Sequence, residues 1–523
     1  MTLPAPNLMG MPSKYIQWRP NQSAAVEEIM SSQSPFVTQI APTGSGKSLQ
    51  YATAAHTAFN RAVILTSTKG LMRQLENDFS EIGLVAVKGK NSYMCTAEND
   101  GSRCDEGPCN AGFKCKYQDQ GGCPYYDAVA AARVSPLIVT NYAFWMTYNK
   151  YAQKLPTPDL LVCDEAHDLP QLVSDFLTSK INRQHPLIWS ILTPPANEKT
   201  ISVERWAEWA DSMLRPVRDR VNSLRKYIKD NDGASKTVRR ELKTLTALLK
   251  NLLTMADMNS QDWVMDVNDH HLEFAPIWPK DYTQDVLFLD SKKVLLTSAT
   301  VCQKTTQMLG IPKELNQISE FPHSFPVQNR MLTFIPTVRL NIHASKLDIR
   351  EWTSKIDQII RPRLDRKGLI HTVSYERRNF VMAQSEYSKF MVSHDTGDII
   401  RSITRFKKAD PPLIMVSPSM TTGVDLPYDD CRYQIIGKVP YPDMRNKIVK
   451  ARLTEDSEYG AYIACQQLVQ AVGRGTRSRN DWCENFIIDN SIRWIMKDYK
   501  HFMPNWFLTS YQKSNTIPKP RPL

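Results

Sequence analysis

The chain has 523 residues and a net charge of +11, with 42% hydrophobic and 23% charged residues. This length exceeds what one hydrophobic core organises, so we expect roughly two to four domains. No apolar run is long enough for a membrane span, and the first residues lack a signal-peptide core, which predicts a cytoplasmic protein. The positive charge favours a polyanionic partner.

The first predicted strand–loop–helix unit surrounds the stretch APTGSGKS at residues 41–48. The apolar run SPFVTQIA (34–41) predicts a buried strand, and residues 47–60 predict a helix whose N-terminus would face an anion. This arrangement is typical of a phosphate-binding loop, with a plain Gly/Ser turn as the alternative.

The loop departs from the usual pattern by one residue, because Ala41 stands where a first glycine is expected. Gly44 and Gly46 still let backbone N–H groups converge on phosphate, so the departure is tolerated. Lys47 would supply a positive charge for the β- and γ-phosphates, and Ser48 a hydroxyl for Mg²⁺. These residues predict a nucleotide site.

Half of the ten cysteines fall within 29 residues, a spacing more typical of metal binding than of disulfides in a reducing cytoplasm. Structural zinc sites usually have two close C-x(2–4)-C pairs; the single such pair here and the wider other gaps suit an iron–sulfur cluster. Zinc binding and unligated thiols are the alternatives. The clustered residues are Cys95, Cys104, Cys109, Cys115 and Cys123, and the others, expected to be buried thiols, are Cys163, Cys302, Cys431, Cys465 and Cys483.

A second nucleotide motif is predicted in PDLLVCDEAHDLP (158–170), where an apolar run ends in acidic residues. An acid at the end of a buried strand beside the phosphate-binding strand can hold Mg²⁺, which is the expected role of Asp164. Glu165 would orient and deprotonate the attacking water. The alternative is a solvated acidic helix cap.

About 130 residues separate DEAH (164–167) from TSAT (297–300), so an inserted domain is expected between them. Helical periodicity over 203–228, interrupted at Pro216, and again after the turn KDNDGAS predicts a helical hairpin. Residues 199–250 hold 13 Lys and Arg against 7 Asp and Glu. Their polar face is predicted to be either solvated or a DNA-guiding surface, while Trp206 and Trp209 are expected in the core.

The rest of the chain predicts a second α/β domain, with strands at MLTFI and GLIHTVSY. Segments 292–300, 413–427 and 467–478 each end a strand or helix in a small or polar loop, as expected along a cleft between two such domains. Arg474 and Arg477 lie three apart on a predicted helical face and could both reach a γ-phosphate. The basic, proline-rich residues 511–523 are predicted to be disordered.

The ordered set RPNQ, APTGSGKS, TSTKGL, DEAH, TSAT, TTGVDLP and QAVGRGTR resembles superfamily 2 helicases. The cysteine cluster between TSTKGL and DEAH, and the segment VPYPDMRNKIVKAR (439–452), narrow the resemblance to the XPD/DinG-like iron–sulfur DNA helicases. It covers the chain from about Tyr15 to Asn490. One departure is Trp482, where the family usually has glycine.

The resemblance implies two RecA-like motor domains of the α/β class and a role for each motif. Gln22 would read adenine, Thr68 and Lys69 would lie near the DNA backbone, and His167 would join Asp164 and Glu165 in the hydrolytic centre. The remaining implied residues are the ATP-binding loop Ala41, Pro42, Thr43, Gly44, Ser45, Gly46, Lys47 and Ser48, the cleft residues Gly423 and Asp425, the coupling residues Ser298, Ala299 and Thr300, and Gln470, Arg474 and Arg477 from the second domain.

The resemblance also implies which cysteines bind a [4Fe–4S] cluster. The family's last ligand resembles CPYY, which gives Cys123, and the preceding turns give Cys95, Cys109 and Cys115. Cys104 is then spare, although a set that contains Cys104, Cys109 and Cys115 is an open competitor.

The implied function is ATP- and Mg²⁺-dependent 5′-to-3′ unwinding of DNA by a monomer acting on single strands and junctions. An RNA-directed DEAH-type helicase, or a nucleotide-regulated, metal-stabilised DNA-binding protein that does not unwind, are the alternatives. The expected domains are the first motor domain (1–90, 135–170 and 285–318), an iron–sulfur insertion (91–134), an arch-like helical insertion (171–284), the second motor domain (319–510) and the tail (511–523).

Overall fold

The computed structural model describes residues 3–98, 100–112, 115–152, 155–231, 234–259, 261–341, 343–395, 397–418 and 426–523. Among the described helices, none combines the length and the apolar character that a membrane span requires. The strands are β1 (Phe36–Ile40), β2 (Ala62–Thr66), β3 (Leu84–Ala86), β4 (Leu137–Asn141), β5 (Leu160–Asp164), β6 (Ser179–Asn182), β7 (Trp263–Val267), β8 (His271–Pro276), β9 (Lys293–Ser298), β10 (Asn316–Glu320), β11 (Leu332–Val338), β12 (Gly368–His371), β13 (Met391–Val392), β14 (Ile414–Ser417), β15 (Tyr433–Ile436), β16 (Glu484–Asp489) and β17 (Tyr511–Lys513).

The helices connect these strands and cover both large sheets. They are α1 (Gln22–Ser31), α2 (Lys47–Ala58), α3 (Lys69–Phe79), α4 (Lys116–Asp119), α5 (Pro124–Val134), α6 (Tyr142–Tyr151), α7 (Leu169–Leu177), α8 (Pro186–Trp189), α9 (Val203–Asp230), α10 (Lys236–Ala256), α11 (Gln303–Met308), α12 (Lys346–Ile360), α13 (Tyr375–Gln384), α14 (Ile399–Lys408), α15 (Lys447–Glu455), α16 (Tyr459–Val472), α17 (Ile492–Trp494) and α18 (Asn505–Leu508).

The first sheet is parallel, with the strand order β10-β1-β9-β5-β2-β4-β3. Strands β2 and β5 are buried along their whole lengths, as expected for strands covered by helices on both faces. Because β9 lies between β1 and β5, the carboxyl ends of these three strands meet at one edge. In open α/β sheets this edge binds ligands. Strand β10 also belongs to this sheet, so the first domain reaches at least residue 320.

The second sheet is also parallel, with the order β13-β14-β12-β15-β16-β11-β17. The predicted strands at MLTFI and GLIHTVSY are confirmed as β11 and β12. The expectation of two parallel α/β domains is therefore confirmed.

The chain between α7 and β9 forms the predicted helical hairpin, α9 and α10, beside a small antiparallel sheet ordered β6-β8-β7. The predicted interruption at Pro216 is wrong, because α9 runs through this residue without a break. Packing of its apolar stripe against α10 outweighs the roughly 3 kcal/mol that an internal proline costs. Trp206 and Trp209 are buried and contact each other edge to face, as predicted for core residues.

The basic face of α10 meets the cysteine segment, here residues 95–123. Arg239 is buried there, whereas Arg240 and Lys243 remain exposed to solvent. Three of its cations form ion pairs with acidic side chains of that segment, which neutralise them. The pairs are Arg239 with Glu98 (2.7 Å) and Asp100 (3.1 Å), Arg240 with Glu106 (3.3 Å), and Lys243 with Asp105 (2.5 Å). The prediction of a solvated face is therefore wrong for Arg239 but agrees with the exposure of Arg240 and Lys243, and the DNA-guiding alternative stays a prediction.

Residues 511–523 are ordered, so the prediction of a disordered tail is wrong. Strand β17 pairs in parallel with β11. Beyond it, the buried Arg363 donates to the carbonyl of Pro518 at 2.9 Å, and Arg366 donates to that of Arg521 at 2.6 Å. These bonds fix a segment whose composition alone indicates disorder.

Candidate active site

The phosphate-binding loop joins β1 to α2 as predicted. Gly44 and Gly46 have φ values of 75° and 79°, in the left-handed region that favours glycine. A Cβ on Gly46 would stand 2.3 Å from Nε2 of Gln22, so a larger residue would displace that side chain. The two glycines are therefore required by the backbone and its surroundings.

Gln22 braces this loop. Its Nε2 donates to the carbonyl oxygens of Ser45 and Gly46, both at 3.1 Å, and its Oε1 accepts from the backbone N–H of Arg19 at 2.8 Å. Arg19 in turn donates to the carbonyl of Gly44 at 3.1 Å. Both ends of the Gln22 amide thus contact backbone, and its contact with adenine stays a prediction.

A buried tyrosine joins the two groups predicted to hold Mg²⁺. The Tyr51 hydroxyl donates to Asp164 Oδ2 at 3.2 Å and lies 3.3 Å from Ser48 Oγ. Hydroxyl and carboxylate oxygens suit a hard cation such as Mg²⁺, so these residues fit the ion chemically. Tyr51 was not among the predicted site residues, although it lies four residues after Lys47 and so on the same face of α2.

The two acidic residues of DEAH have different protonation behaviour. Burial, with the charge of Glu165 added, raises the pKa of Asp164 to about 6. Burial also acts to raise the pKa of Glu165, but Lys47, His167 and the hydrogen bond from Ser298 together hold it below its usual value. Lys47 Nζ lies 3.8 Å from Glu165 Oε1. Glu165 is therefore a carboxylate near neutral pH, as a proton acceptor must be.

The backbone of Glu165 has a φ of 52°, unusual for a residue other than glycine. Strained backbone of this kind clusters at functional sites, where surrounding contacts hold it. Here the Glu165 N–H donates to Asp164 Oδ1 at 2.9 Å, and Tyr142 donates to the Asp164 carbonyl at 2.6 Å.

A chain of polar contacts runs from Glu165 to the second domain. Ser298 Oγ lies 3.4 Å from Glu165 Oε2 and 2.8 Å from Nδ1 of His167. The backbone N–H of Thr300 donates to Ser298 Oγ at 3.3 Å, and Gln470 Nε2 donates to Thr300 Oγ1 at 3.1 Å. The loop after β9 thus contacts the acidic pair on one side and α16 on the other, while Ala299 is buried between.

Arg474 and Arg477 follow α16 in a loop, because the helix ends at Val472. The prediction that they share a helical face is therefore wrong. Both are nonetheless brought toward Glu165, whose charge acts on each. Burial lowers the pKa of Arg474 to about 10 and that of Arg477 below its usual value, while Glu165 opposes both shifts. Both remain cationic at neutral pH.

A cleft of about 890 Å³ gathers these groups from the two domains. The domains meet closely there, since a Cβ on Gly473 would lie 3.0 Å from Thr43 Oγ1. Thr68 lines the cleft as the N-cap of α3, and Lys69 beside it is exposed. Gly423 and Asp425 lie outside the described residues. The residues of the cleft are Arg19, Thr43, Gly44, Gly46, Lys47, Ser48, Ser67, Thr68, Leu71, Gln74, Asp164, Glu165, His167, Asp168, Gln171, Leu172, Gln470, Gly473, Arg474 and Arg477.

Arg452, in the segment 439–452, is a further interdomain residue that was not among the predicted site residues. Its side chain is buried and donates to the Ile277 carbonyl at 2.6 Å, Ser174 Oγ at 2.8 Å and Gln171 Oε1 at 3.3 Å. Gln171 lines the cleft. Arg452 therefore fastens the second domain to the helix that follows DEAH.

Comparisons with known proteins agree with this geometry. Residues 19–193 match the DEAD/DEAH box helicase family, and residues 362–510 match the helicase C-terminal domain family. The chain carries both domains of an ATP-dependent helicase, and its fold is that of XPD. An XPD helicase structure is similar at a TM-score of 0.64 and 16% identity, covering 94% of this chain and 98% of that one. Xpd4 of S. tokodaii is similar at a TM-score of 0.59 and 14% identity, covering 95% and 100%. No curated protein matches the sequence of this helicase.

The five clustered cysteines of this helicase lie near one another. Burial, followed by the charges of Cys123, Cys95 and Cys109, raises the pKa of Cys104 to about 12. Burial also raises the pKa of Cys109, and Cys115 is one of the charges that add to it. The structure gives no support for leaving Cys104 out of the group.

Thiolates are the ligands that iron–sulfur clusters use, so the donor set fits such a cluster chemically. Among the described residues, however, no three His, Cys, Asp or Glu side chains are arranged to hold a single metal ion.

Proposed function

We propose that this helicase hydrolyses ATP in the cleft between its two sheets and uses the resulting domain movement to travel 5′ to 3′ along single-stranded DNA. The observation that carries the proposal is the contact chain from Glu165 through Ser298 and Thr300 to Gln470. Because one loop touches both the hydrolytic carboxylate and the second domain, a change at the γ-phosphate would alter how the domains pack.

The proposed chemistry assigns one role to each group in the cleft. Lys47 would neutralise the β- and γ-phosphates, and Ser48 and Asp164 would hold Mg²⁺. Glu165 would orient the attacking water and accept its proton, since Lys47 and His167 keep this carboxyl ionised by lowering its pKa. Arg474 and Arg477 would stabilise the charge that spreads over the phosphoryl oxygens in the transition state.

We further propose that the cysteine segment holds a [4Fe–4S] cluster through Cys95, Cys109, Cys115 and Cys123, with Cys104 as the competing ligand. The cluster would supply a rigid cross-link between loops that have little regular structure of their own. The ion pairs from α10 to this segment support a single unit of hairpin and cysteine segment beside the first domain. Such a unit would separate the strands of a duplex.

Strand-displacement assays test this function directly. The substrates are DNA duplexes with a single-stranded tail at either the 5′ or the 3′ end, together with the matching RNA duplexes. We expect ATP-dependent unwinding of 5′-tailed DNA alone. Unwinding of 3′-tailed DNA alone would overturn the polarity, and preference for RNA would overturn the substrate. Binding without unwinding of any substrate would overturn the proposal that the motor separates strands.

A further inference from the structure

The last residues of the chain contact the loop that carries the two arginines of the cleft. We call residues 514–523 the terminal arm and residues 473–483 the arginine loop. The arm follows β17 at the edge of the second sheet. Its backbone accepts hydrogen bonds from Arg363 and Arg366, which are nearly inaccessible to solvent. Buried guanidinium groups demand such partners, so the arm is held in one place.

Arg521 extends from the arm toward the arginine loop. Its Nη1 donates to Asn329 Oδ1 at 2.7 Å and to the Gln328 carbonyl at 3.3 Å. Its guanidinium lies 4.9 Å from the centre of the Trp482 ring, within cation–π distance. One side chain of the arm therefore contacts both Asn329 and the arginine loop itself.

Asn329 holds the arginine loop at three points. Its Nδ2 donates to the Arg479 carbonyl at 2.8 Å. Its backbone carbonyl accepts from Thr476 Oγ1 at 3.3 Å and from the Cys483 N–H at 3.0 Å. Since Arg521 fixes Oδ1 of the same amide, it also fixes which way the Asn329 side chain points.

Trp482 is the second anchor of the loop. It is buried, with the guanidinium of Arg432 at 4.7 Å and that of Arg366 at 5.6 Å from its ring centre. The neighbouring Asp481 accepts from Arg432 at 3.1 Å and from the backbone N–H of Arg477 at 2.9 Å. Through Asp481, the residue before Trp482, this anchor is connected to the backbone of Arg477 in the cleft.

We propose that Arg521, with Trp482 and Asn329, is a positioning residue for ATP hydrolysis, and that the terminal arm acts as a clamp on the arginine loop. Arg521 does not line the cleft and acts only through the loop. The proposal rests on the role given above to Arg474 and Arg477. The buried Trp482 ring is the surface on which three arginines converge, one of them from the arm.

Arg521→Met tests the clamp, because methionine keeps apolar contact with Trp482 and removes the donor to Asn329. We expect kcat of the DNA-stimulated ATPase to fall about five- to tenfold, with KM for ATP and the melting temperature unchanged. Lys519→Met is the matched control, since this exposed residue lies on the same arm. It should keep wild-type kcat.

Arg477→Ala and the double variant with Arg521→Met separate this proposal from the one on which it rests. If the clamp acts through the arginine loop, Arg521→Met should add little to the loss caused by Arg477→Ala. A wild-type kcat for Arg521→Met, or full additivity in the double variant, would overturn the clamp. A wild-type kcat for Arg477→Ala would instead overturn the role of that arginine.

Deletion of residues 518–523 provides a second test that leaves β17 in place. The deletion also removes the carbonyls that Arg363 and Arg366 bind, so a lower kcat and a lower melting temperature are expected here, and an unchanged kcat would overturn the clamp. A loss of kcat that follows a lowered melting temperature in both the deletion and Arg521→Met would show that the arm serves only stability, and would overturn the proposal.

Discussion

The hydroxyl of Tyr51 lies between Ser48 and Asp164, 3.3 Å from one side-chain oxygen and 3.2 Å from the other. These are the two groups proposed to hold Mg²⁺, and Tyr51 itself is almost completely buried. Its hydrogen bond to Asp164 favours the ionised carboxylate and so opposes the effect of burial on that residue.

Tyr51→Phe should weaken Mg²⁺ binding while leaving the packing of α2 intact. Loss of one hydrogen bond to a charged group is expected to raise the Mg²⁺ concentration for half-maximal ATPase by roughly tenfold. The matched control is Tyr142→Phe, whose hydroxyl donates to the backbone carbonyl of Asp164 and not to its carboxylate. If Tyr51→Phe and the wild type required the same Mg²⁺ concentration, Tyr51 would have no role in supporting Mg²⁺ binding.

The pKa of Asp164 predicts a pH dependence of metal binding. With the pKa at about 6, the carboxyl is mostly ionised at pH 7 and mostly protonated at pH 5. Because a proton competes with Mg²⁺, the half-saturating Mg²⁺ concentration should rise about tenfold per pH unit below pH 6. Excess Mg²⁺ should restore activity. Steady-state ATPase titrations with Mg²⁺ at pH 5, 6 and 7 measure this. The same half-saturating Mg²⁺ concentration at all three pH values would contradict the assignment of Asp164 as a ligand.

Glu165→Gln should nearly abolish turnover and retain ATP binding, because the amide keeps the shape and loses the proton acceptor. Asp168→Asn is the control, since the Asp168 carboxylate contacts His167 Nε2 at 3.3 Å and has no proposed role in activating water. It should lose far less activity. Single-turnover hydrolysis beside equilibrium binding of a nucleotide analogue distinguishes the two effects, and normal turnover by Glu165→Gln would exclude it as the base.

The cluster proposal predicts about four irons per chain after anaerobic purification. Serine substitution of Cys95, Cys109, Cys115 or Cys123 should each remove iron and unwinding while some ATPase remains, since the cleft is built from other elements. Cys104→Ser decides between the two ligand sets, because it should keep its iron if Cys104 is spare and lose iron if Cys104 is a ligand. The control is Cys465→Ser, on α16. One zinc per chain without iron would refute the cluster.

The strand, loop and helix around Lys47 and the acidic pair at the end of β5 could be predicted from sequence because their signals are local. An apolar run that ends in glycines or acids fixes both the strand and the position of the functional side chain. Tyr51 and Arg521 carry no such signal, since their roles depend on neighbours that are distant in the chain, 113 residues away for Tyr51 and Asp164.

The sequence-based predictions that were wrong failed because they too depended on contacts between distant residues. Charge counting could not show that Arg239 meets Glu98, and composition could not show that Arg363 holds the backbone at Pro518. The helical spacing of Arg474 and Arg477 was correct for a helix, but α16 ends before them. In each case a tertiary contact overrode a local tendency.

The most direct test of the central claim, hydrolysis completed by the second domain, is single-turnover ATP hydrolysis by Arg477→Ala. The control is Arg479→Ala, an exposed residue of the same loop. We expect Arg477→Ala to bind ATP and single-stranded DNA almost normally. Its rate of ATP hydrolysis should fall by about 10³-fold or more, the usual effect of losing such an arginine. Hydrolysis at the wild-type rate, with ATP bound normally, would contradict the account.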